Sequence, residues 1–219
     1  MSDSPLSPRV LLVDDHEIYR AGLRGLLEEQ GIDIVGEAVD GEGALELVEA
    51  KHPNVVIMDL NMPGMGGIEA TRQITTVAPL TRVVMLTVSS GAPDITDAVL
   101  AGACGYLLKS ATTQEIVSGI AAAARGDALL SPSVAAKLLV RVRESPVRPT
   151  IPDPAQASLT DREIEVLRLL SSGMDNAEIG RTLFISPSTV KNHISSILLK
   201  LQIENRIQAA VYAVRSGLV

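Results

Sequence analysis

A chain of 219 residues is long enough for two unequal domains, and a hydrophobic fraction of 46% indicates packed cores rather than disorder. The single cysteine, Cys104, excludes an intramolecular disulfide. The apolar runs are too short to span a bilayer, and the polar N-terminus lacks the basic start and apolar core of a signal peptide, so we expect a cytoplasmic protein with no membrane partner.

The charge of the chain is unevenly distributed. A formal net charge of −7 at first argues against a nucleic-acid partner. The acidic excess, however, lies in residues 1–140, which carry 18 acidic and 9 basic side chains, whereas residues 158–219 carry 6 acidic and 7 basic ones. The C-terminal part therefore permits DNA binding, and the placement of its charges has to decide the question.

In chain order, the first 127 residues alternate short β-rich apolar runs with stretches of helical periodicity. Between the runs, apolar residues recur at three- and four-residue spacing, as with Leu23, Leu26 and Leu27. Five strands that alternate with five helices predict an α/β domain over residues 9–127, with a doubly wound, five-stranded parallel sheet. The strands are expected at Val10–Val13, Ile32–Ala38, Val55–Met58, Val83–Thr87 and Gly105–Leu108.

The next segment, residues 128–157, is predicted to connect two domains. Ser131 and Pro132 have the pattern of an N-cap followed by a first-turn proline, so they predict a short helix that extends to about Arg143. Four prolines between Pro146 and Pro154 then predict a semi-extended linker, because proline lacks a backbone donor and restricts its neighbours.

Four short helices are predicted in residues 158–219, which are expected to form a small all-α domain. Thr160 and Glu163 have the spacing of a capping box at the start of the first helix, and Gly173 follows its end. The other three helices are expected at about 176–183, 186–200 and 206–215.

Polar side chains follow the predicted strands at the point where each strand ends. Asp14 and Asp15 follow the first strand, Asp59 follows the third, Thr87 ends the fourth and Lys109 follows the fifth. In a parallel sheet the ligand site lies at the carboxyl ends of the strands. Three carboxylates placed there repel one another unless a cation binds, and oxygen ligands suit Mg²⁺. A phosphoryl group on one carboxylate would also need a hydroxyl donor and a fixed cation, which Thr87 and Lys109 supply.

Residues 9–127 as a whole resemble a response-regulator receiver domain, which has the flavodoxin-like fold. The resemblance rests on residues 13–16 (VDDH), 58–67 (MDLNMPGMGG), 86–87 (LT) and 105–109 (GYLLK). It implies that Asp59 accepts a phosphoryl group from the phosphohistidine of a sensor histidine kinase. It further implies that Asp14, Asp15, Asp59 and the backbone carbonyl of Asn61 hold Mg²⁺, that Thr87 and Lys109 bind the phosphoryl oxygens, and that Thr87 and Tyr106 form the switch.

One residue departs from this resemblance. Val88 follows Thr87, where the family usually has a small residue such as alanine. The larger side chain is expected to narrow access to the phosphoryl group and so to affect the lifetime of the acyl phosphate. The switch itself is expected to have two states, and phosphorylation favours the state in which Thr87 and Lys109 are drawn towards the new group.

The stretch Ser186–Leu201 has one apolar and one polar face when its residues are placed at about 100° intervals. Its buried stripe is expected to contain Val190, Ile194, Ile197 and Leu201. The opposite face carries small polar residues and one amide, with cations on its flanks, and such a face can enter a major groove without steric conflict. These residues are Ser188, Asn192, Ser195 and Ser196, flanked by Lys191 and His193. For an isolated helix, a solvated surface is the alternative interpretation.

Residues 159–213 resemble the LuxR-type DNA-binding domain, which contains a helix-turn-helix. The matching segments include 159–163 (LTDRE), 189–193 (TVKNH), 200–201 (KL) and 205–206 (NR). The resemblance implies that Lys191 reaches base edges or phosphates, and that Thr189, Asn192, His193 and Lys200 are further DNA-binding residues. A receiver followed by this domain is the arrangement of the NarL/FixJ group of response regulators.

The same resemblance implies partners: operator half-sites in double-stranded DNA, a second copy of the chain when DNA is bound, and RNA polymerase. Ala177 stands where relatives often have a basic residue, and Leu199 is apolar on the exposed side of the third helix. Fewer cationic contacts imply weaker binding by the monomer, which makes dimerisation more necessary. The last helix is a candidate surface for self-association through Ala209, Ala210, Val211 and Tyr212.

Two other functions fit parts of the sequence. An enzyme with an aspartyl nucleophile, such as a phosphatase, would need a second aspartate as general acid beside the first, and Leu60 and Asn61 follow Asp59 instead. A receiver that binds proteins without being phosphorylated is the other alternative, and the complete acidic set disfavours it. We therefore expect a transcription regulator controlled by phosphorylation rather than an enzyme.

Overall fold

The computed structural model describes residues 7–89, 91–127, 129–130, 159–203 and 205–218. The chain divides into two compact units, residues 1–134 and 135–219. The predicted short helix at residues 131–143 and the proline-rich segment after it lie outside the described residues. Among the described helices, none has the length and apolar character needed to cross a membrane.

The N-terminal unit is built on a parallel sheet, as predicted. Its strands follow the order β2-β1-β3-β4-β5-β6, and every neighbouring pair is parallel. The strands are β1 (Arg9–Val13), β2 (Asp33–Ala38), β3 (Val55–Met58), β4 (Arg82–Thr87), β5 (Gly105–Leu108) and β6 (Leu129–Leu130). All four residues of β3 are buried, because helices cover both faces of the sheet.

All five predicted strands are present, and among the described residues the sheet has one further strand at its edge. Leu129 and Leu130 form a sixth strand, which pairs with Gly105 and Tyr106 of β5. Two residues are too few to show a two-residue periodicity, so no sequence pattern marks this strand. Its formation depends instead on the edge that β5 presents.

Five helices connect the first five strands and the edge strand. They are α1 (Glu17–Glu29), α2 (Gly41–Lys51), α3 (Gly67–Val77), α4 (Ala92–Leu100) and α5 (Thr113–Ala124). One face of the sheet packs its apolar side chains against α1 and α5, where Leu27 and Ile120 are fully buried. The hydrophobic effect of this burial holds the strand ends in fixed positions.

The order of the strands creates a crevice beside β1. This strand lies between β2 and β3. The chain adds β2 on one side of β1, and it then adds β3 and the later strands on the other side. Ligands of doubly wound sheets bind outside the carboxyl ends of the strands at such a switch point. Asp14 follows β1 and Asp59 follows β3, so both carboxylates lie at this crevice.

The C-terminal unit contains four helices in its described residues, as predicted. They are α6 (Asp161–Ser171), α7 (Asn176–Leu183), α8 (Pro187–Leu201) and α9 (Arg206–Arg215). Each helix has a polar N-cap side chain that accepts a backbone hydrogen bond: Thr160, Asp175, Ser186 and Asn205. The predicted capping box of Thr160 and Glu163 is confirmed, since both of its hydrogen bonds are present.

The turn between α7 and α8 brings the two helices close together. A Cβ atom on Gly180 would lie 2.7 Å from the carbonyl oxygen of Ile185, so only glycine lets the turn approach α7 this closely. Phe184 ends α7 with a left-handed backbone (φ 56°). The chain thereby turns within a few residues, and α8 begins at Pro187 in the arrangement of a helix-turn-helix.

Candidate functional site

Asp59 lies at the carboxyl end of β3 with its side chain almost completely buried (4% exposed). Its backbone N–H donates to the carbonyl oxygen of Val13 at 2.8 Å, which continues the pairing of β3 with β1. The backbone N–H of Leu60 donates to Oδ1 at 2.8 Å, and the ammonium of Lys109 donates to Oδ2 at 2.9 Å. Both oxygens of the carboxylate are thus held in one orientation.

Asp14 lies beside Asp59 on the neighbouring strand and shares the same cation. Its Oδ2 is 2.6 Å from the Lys109 ammonium, and its Oδ1 accepts the backbone N–H of His16 at 2.9 Å. Asp15 is more exposed, and its Oδ1 is 2.9 Å from Nδ1 of His16. One ligand atom from each of Asp14, Asp15, His16 and Asp59 can be chosen so that all lie within 4.8 Å of one another.

This group of side chains has the composition that a divalent cation requires. The carboxylates of Asp14, Asp15 and Asp59 supply hard oxygen ligands, which suit Mg²⁺. His16 belongs to the matching VDDH segment, but the resemblance does not assign it to the site. Its position one residue after Asp15 is the signal that could have identified it.

Lys109 provides the positive charge between the two buried carboxylates. Burial alone lowers the pKa of this lysine, but hydrogen bonds to Asp14 and Asp59 outweigh that effect and raise the pKa above its ordinary value. The ammonium also lies 4.7 Å from the centre of the Tyr19 ring, a cation–π distance. The backbone N–H of Lys109 donates to the Thr87 carbonyl oxygen at 2.8 Å, so β4 and β5 end together.

Thr87 and Tyr106 are connected through one residue, Ser89. The backbone N–H of Ser89 donates to Oγ1 of Thr87 at 3.3 Å, and the hydroxyl of Tyr106 donates to the Ser89 carbonyl oxygen at 3.0 Å. Thr87 and Tyr106 are both fully buried, and burial raises the pKa of the Tyr106 hydroxyl to about 12. Val88, which lies between Thr87 and Ser89 in sequence, is 77% exposed. Its predicted effect on phosphoryl access stays a prediction.

Asn61 lies in the loop between β3 and α3, which α2 holds in place. The carboxylate of Glu42 accepts the backbone N–H of Met65 at 3.1 and 3.2 Å, and the N–H of Gly41 donates to the Met65 carbonyl oxygen at 3.1 Å. Gly64 has a φ of 69°, which is the left-handed conformation that glycine adopts without steric cost. The loop that carries the predicted carbonyl ligand therefore has a defined path.

Gly67 permits the closest backbone approach in this region, and we expect Gly67→Ala to damage the site. A Cβ atom there would lie 2.0 Å from the Asp59 carbonyl oxygen, so either α3 or the end of β3 must move. We expect the free energy of unfolding of the N-terminal unit to fall by at least about 3 kcal/mol, measured by urea denaturation.

The neighbouring glycine provides the matched control for that substitution. A Cβ atom on Gly66 would lie 3.5 Å from its nearest neighbour, an ordinary contact. Gly66→Ala should therefore cost about 1 kcal/mol or less, since it changes only the residue at the N-cap of α3. Equal losses for the two variants would contradict the importance of the approach between Gly67 and Asp59.

The two faces of α8 in the C-terminal unit differ as the sequence predicted. Its four predicted stripe residues are all buried: Val190, Ile194, Ile197 and Leu201. Lys191 and Asn192 are exposed, whereas Thr189 and His193 are partly buried at the sides of that face. Leu199 is 80% exposed, and Ser188 and Ser195 are exposed as well. The exposed face consists mainly of small polar side chains with one cation, as a major-groove surface requires.

Lys200 makes an ion pair within the C-terminal unit. Its ammonium is 2.7 Å from Oε2 of Glu163, a buried carboxylate (4% exposed) on α6. Ser196, one turn earlier on α8, donates its hydroxyl to Oε1 of the same carboxylate at 2.6 Å. Glu163 thus joins the start of α6 to α8. The ion pair gives Lys200 a structural contact within the unit, and its predicted contact with DNA stays a prediction.

The carboxylate of Glu163 should make the stability of the C-terminal unit depend on pH. Burial raises the pKa of Glu163, but hydrogen bonds from Lys200, Ser196 and Thr160 prevail and hold it at about 2. In the unfolded chain this carboxyl group has the ordinary pKa of about 4.3. The contribution of ionised Glu163 to the free energy of unfolding is therefore complete above that pH, and it is lost as the pH falls towards 2. Glu163→Gln should therefore remove about 2–3 kcal/mol at pH 7, and the difference from the unsubstituted chain should shrink below about pH 4.

A second capping-box glutamate provides the control for this prediction. Glu178 accepts the backbone N–H of Asp175 at the start of α7 and is exposed. Glu178→Gln should cost less than about 1 kcal/mol because it changes a cap and no contact between helices. Hydrogen exchange of the α8 amides in urea measures both variants in the full chain. The same loss for both would show that Glu163 acts only as a cap.

The candidate self-association surface on α9 is largely used inside the unit. Ala209 and Tyr212 belong to its hydrophobic core, and Val211 is 7% exposed. Of the four residues predicted for this surface, Ala210 alone is not fully buried. Three of these side chains are therefore enclosed in the described conformation.

Comparison with known proteins identifies both units. The family described as "Response regulator receiver domain" matches residues 10–121, and "Bacterial regulatory proteins, luxR family" matches residues 157–213. The transcriptional regulatory protein LiaR of Bacillus subtilis (strain 168) is 45% identical over 212 residues, which cover 96% of this chain and 99% of LiaR.

Solved structures of similar chains agree with these matches. The response regulator ChrA of a heme-sensing two-component system is 38% identical, with a TM-score of 0.53, over 97% of this chain and 99% of ChrA. The response regulator RcsB, solved in complex with DNA, is 27% identical, with a TM-score of 0.58, over 95% of this chain and 98% of RcsB. The chain therefore belongs to the NarL/FixJ-type two-component response regulators, in which a receiver domain is joined to a LuxR-type DNA-binding domain.

Proposed function

We propose that Asp59 accepts a phosphoryl group from a sensor histidine kinase, and that this modification controls DNA binding through α8. The observation that carries the proposal is the placement of Asp59. It is a buried carboxylate at the switch point of the sheet, beside Asp14, with one oxygen on Lys109. A lone buried aspartate would be costly, so a site that maintains two of them beside one lysine supports a chemical role.

The reaction requires an oxygen of Asp59 to attack phosphorus. The new P–O bond forms as the P–N bond to the kinase histidine breaks, and the imidazole leaves with the electron pair of that bond. Lys109 and Thr87 lie at the adjoining strand ends and would donate hydrogen bonds to the phosphoryl oxygens. Lys109 would have to exchange a carboxylate contact for a phosphoryl contact during this step.

We propose Mg²⁺ as the cation of the site, held by Asp14, Asp15, Asp59 and the backbone carbonyl of Asn61. When bound, it would offset the repulsion between these carboxylates and the incoming phosphoryl oxygens. The donor set supports this choice, since it offers carboxylate oxygens together with a loop whose path α2 fixes. Asp14 and Asp59 remain balanced by Lys109 in the structure.

The switch is proposed to pass from Thr87 through Ser89 to Tyr106. If Thr87 moves towards the phosphoryl group, its hydrogen bond with the Ser89 N–H must change. The same residue supplies the acceptor for the Tyr106 hydroxyl, so a displaced Ser89 alters the position of that buried ring. A two-state element of this kind can be biased by one new charge.

DNA binding is proposed for residues on the exposed side and flanks of α8, namely Thr189, Lys191, Asn192, His193 and Lys200. The solved RcsB complex with DNA supports this use of the LuxR-type domain, and a second RcsB structure contains dimers on DNA. By analogy, we propose that this chain binds paired half-sites as a homodimer and acts in the cytoplasm on transcription, where RNA polymerase is a candidate partner. The domain bounds that we propose are 9–127 and 158–219, with a linker at 128–157.

The proposal is tested by locating the phosphoryl group in the full chain. The protein is incubated with acetyl phosphate and Mg²⁺, reduced with borohydride to convert an aspartyl phosphate to homoserine, and digested for mass spectrometry. The expected result is conversion at Asp59 that requires the divalent cation. Conversion at Asp14 or Asp15, or none at any aspartate, would overturn the assignment of the phosphoacceptor.

A further inference from the structure

We propose that Arg20 of α1 is a positioning residue for the divalent cation, because it holds the backbone between Asp14 and Asp15 in the orientation that lets both carboxylates face one ion. The inference rests on the proposed function, which supplies the cation. Arg20 touches the main chain rather than the ion, so its role is to orient the ligands.

The peptide group that Arg20 contacts is the one that joins the two acidic residues. Its Nη1 donates to the carbonyl oxygen of Asp14 at 2.5 Å. On the other side of the same residue, the Asp14 N–H donates to the carbonyl oxygen of Ala38 at 3.1 Å. Rotation of the peptide after Asp14 would redirect the Asp15 side chain, and the hydrogen bond from Arg20 opposes that rotation.

Arg20 is itself held in a fixed geometry. Its Nε donates to Oε2 of Glu37 on β2 at 2.9 Å, and its side chain is only 12% exposed. Arg24, one turn later on α1, donates to the other carboxylate oxygen of Glu37 at 2.7 Å. The planar guanidinium of Arg20 can contact Glu37 and Asp14 at once because its donors lie in a rigid fork.

Glu37 also explains how the positively charged side chain of Arg20 can lie so near a metal site. An unpaired guanidinium at this place would repel a divalent ion, whereas the Glu37 carboxylate balances its charge. The guanidinium can therefore orient the metal ligands without strongly repelling the divalent ion. Arg20, Asp14 and Asp59 also line one small cavity between α1 and the sheet, so the arginine lies on the inner side of the site.

The alternative is that Arg20 only links α1 to β2, and Arg24 provides the comparison that separates the two interpretations. Arg24 lies on the same helix and binds the same glutamate, together with Glu28. It is 44% exposed, and the hydrogen bonds described for it do not include Asp14. A purely structural role would therefore make the two arginines similar in their effect on metal binding.

The experiment measures binding of Mn²⁺, as a spectroscopic substitute for Mg²⁺, to full-length variants by the electron paramagnetic resonance signal of the free ion. Arg20→Ala should raise the apparent Kd at least about tenfold, since residues that orient metal ligands typically contribute 10- to 100-fold. Arg20→Lys should recover little of that loss, because an ammonium lacks the fork. Arg24→Ala should change the Kd by less than about twofold, within the range of exposed ion pairs.

A second readout separates metal binding from phosphoryl transfer. With Arg20→Ala, labelling of Asp59 by acetyl phosphate should require more Mg²⁺ but approach the level of the unsubstituted protein at saturation, since the nucleophile is unchanged. Should that variant fail to fold, Glu37→Gln tests the same geometry conservatively and should also weaken Mn²⁺ binding. Urea denaturation reports on the fold in every case.

The proposal would be overturned if Arg20→Ala bound Mn²⁺ as the unsubstituted protein does, or if Arg24→Ala weakened binding equally. These results differ from a failure of the proposed function. A protein that binds Mn²⁺ normally but is never labelled at Asp59 would contradict the phosphoacceptor, while the comparison of Arg20 with Arg24 would still decide the positioning role.

Discussion

Asp59→Asn should abolish Mg²⁺-dependent labelling by acetyl phosphate and, with it, any change in DNA binding on phosphorylation. Asparagine has nearly the shape of aspartate but no anionic oxygen, so it cannot form the acyl phosphate. The fold should survive, because Lys109 keeps its contact with Asp14 at 2.6 Å. Labelling is measured by phosphate-affinity electrophoresis of the full chain, and the expected result is loss of the shifted species.

An aspartate outside the site provides the control. Asp33 begins β2, is exposed, and lies 4.0 Å from Arg9. Asp33→Asn removes the same charge from the same unit and should leave labelling unchanged. If Asp59→Asn retained labelling, the phosphoacceptor would be another residue, and the role assigned to the buried carboxylate would be wrong.

The second large effect is expected at the exposed face of α8. Lys191→Ala should weaken binding of the full chain to DNA by about 1–3 kcal/mol, roughly 5- to 150-fold. The residue is exposed on the flank of α8, outside the buried stripe, so its removal should not disturb the core. If Lys191 contacts a phosphate, the slope of log affinity against log salt should also fall by about one.

Arg168 is the matched control for Lys191. It is an exposed cation in the last turn of α6, within the same unit. Arg168→Ala lowers the charge of that unit by the same amount away from α8, so it should weaken binding far less. Fluorescence anisotropy at several salt concentrations measures both. Equal losses of affinity for the two variants would mean that DNA binding depends only on the net charge of the unit.

The core of the candidate site could be predicted because it depends on a simple rule of parallel sheets. Asp14, Asp59, Thr87 and Lys109 are far apart in sequence, yet each lies where a buried strand ends. The rule predicts that these strand ends lie together, and applying it requires no knowledge of side-chain packing. For this reason, the sequence also indicated the chemistry that these residues can perform together.

Contacts that depend on packing between elements were not predictable in this way. Arg20 lies in an amphipathic helix, and nothing in its spacing indicates that it reaches the Asp14 carbonyl and Glu37. Lys200 also lies in an amphipathic helix, and its spacing does not indicate a partner within the fold. Its ion pair with Glu163 joins residues 37 positions apart. The partner of a long side chain is decided by tertiary structure, which periodicity does not describe.

The two-residue strand Leu129–Leu130 was missed for a related reason. A strand of that length has no pattern of its own, and it forms because β5 offers an unpaired edge. The helical unit, by contrast, was predictable in some detail. Its caps and buried stripe are local features, and both Thr160 and the four apolar residues of α8 lie as expected.

Phosphorylation of Asp59 is proposed to control DNA binding, and a titration of full-length protein tests this control most directly. A DNA fragment selected by the protein itself is titrated with unmodified and phosphorylated chain, while ultracentrifugation reports the oligomeric state. We predict tighter binding by the phosphorylated form, as a dimer on paired half-sites, and no such difference for Asp59→Asn. Equal affinities and equal oligomeric states before and after phosphorylation would contradict the account.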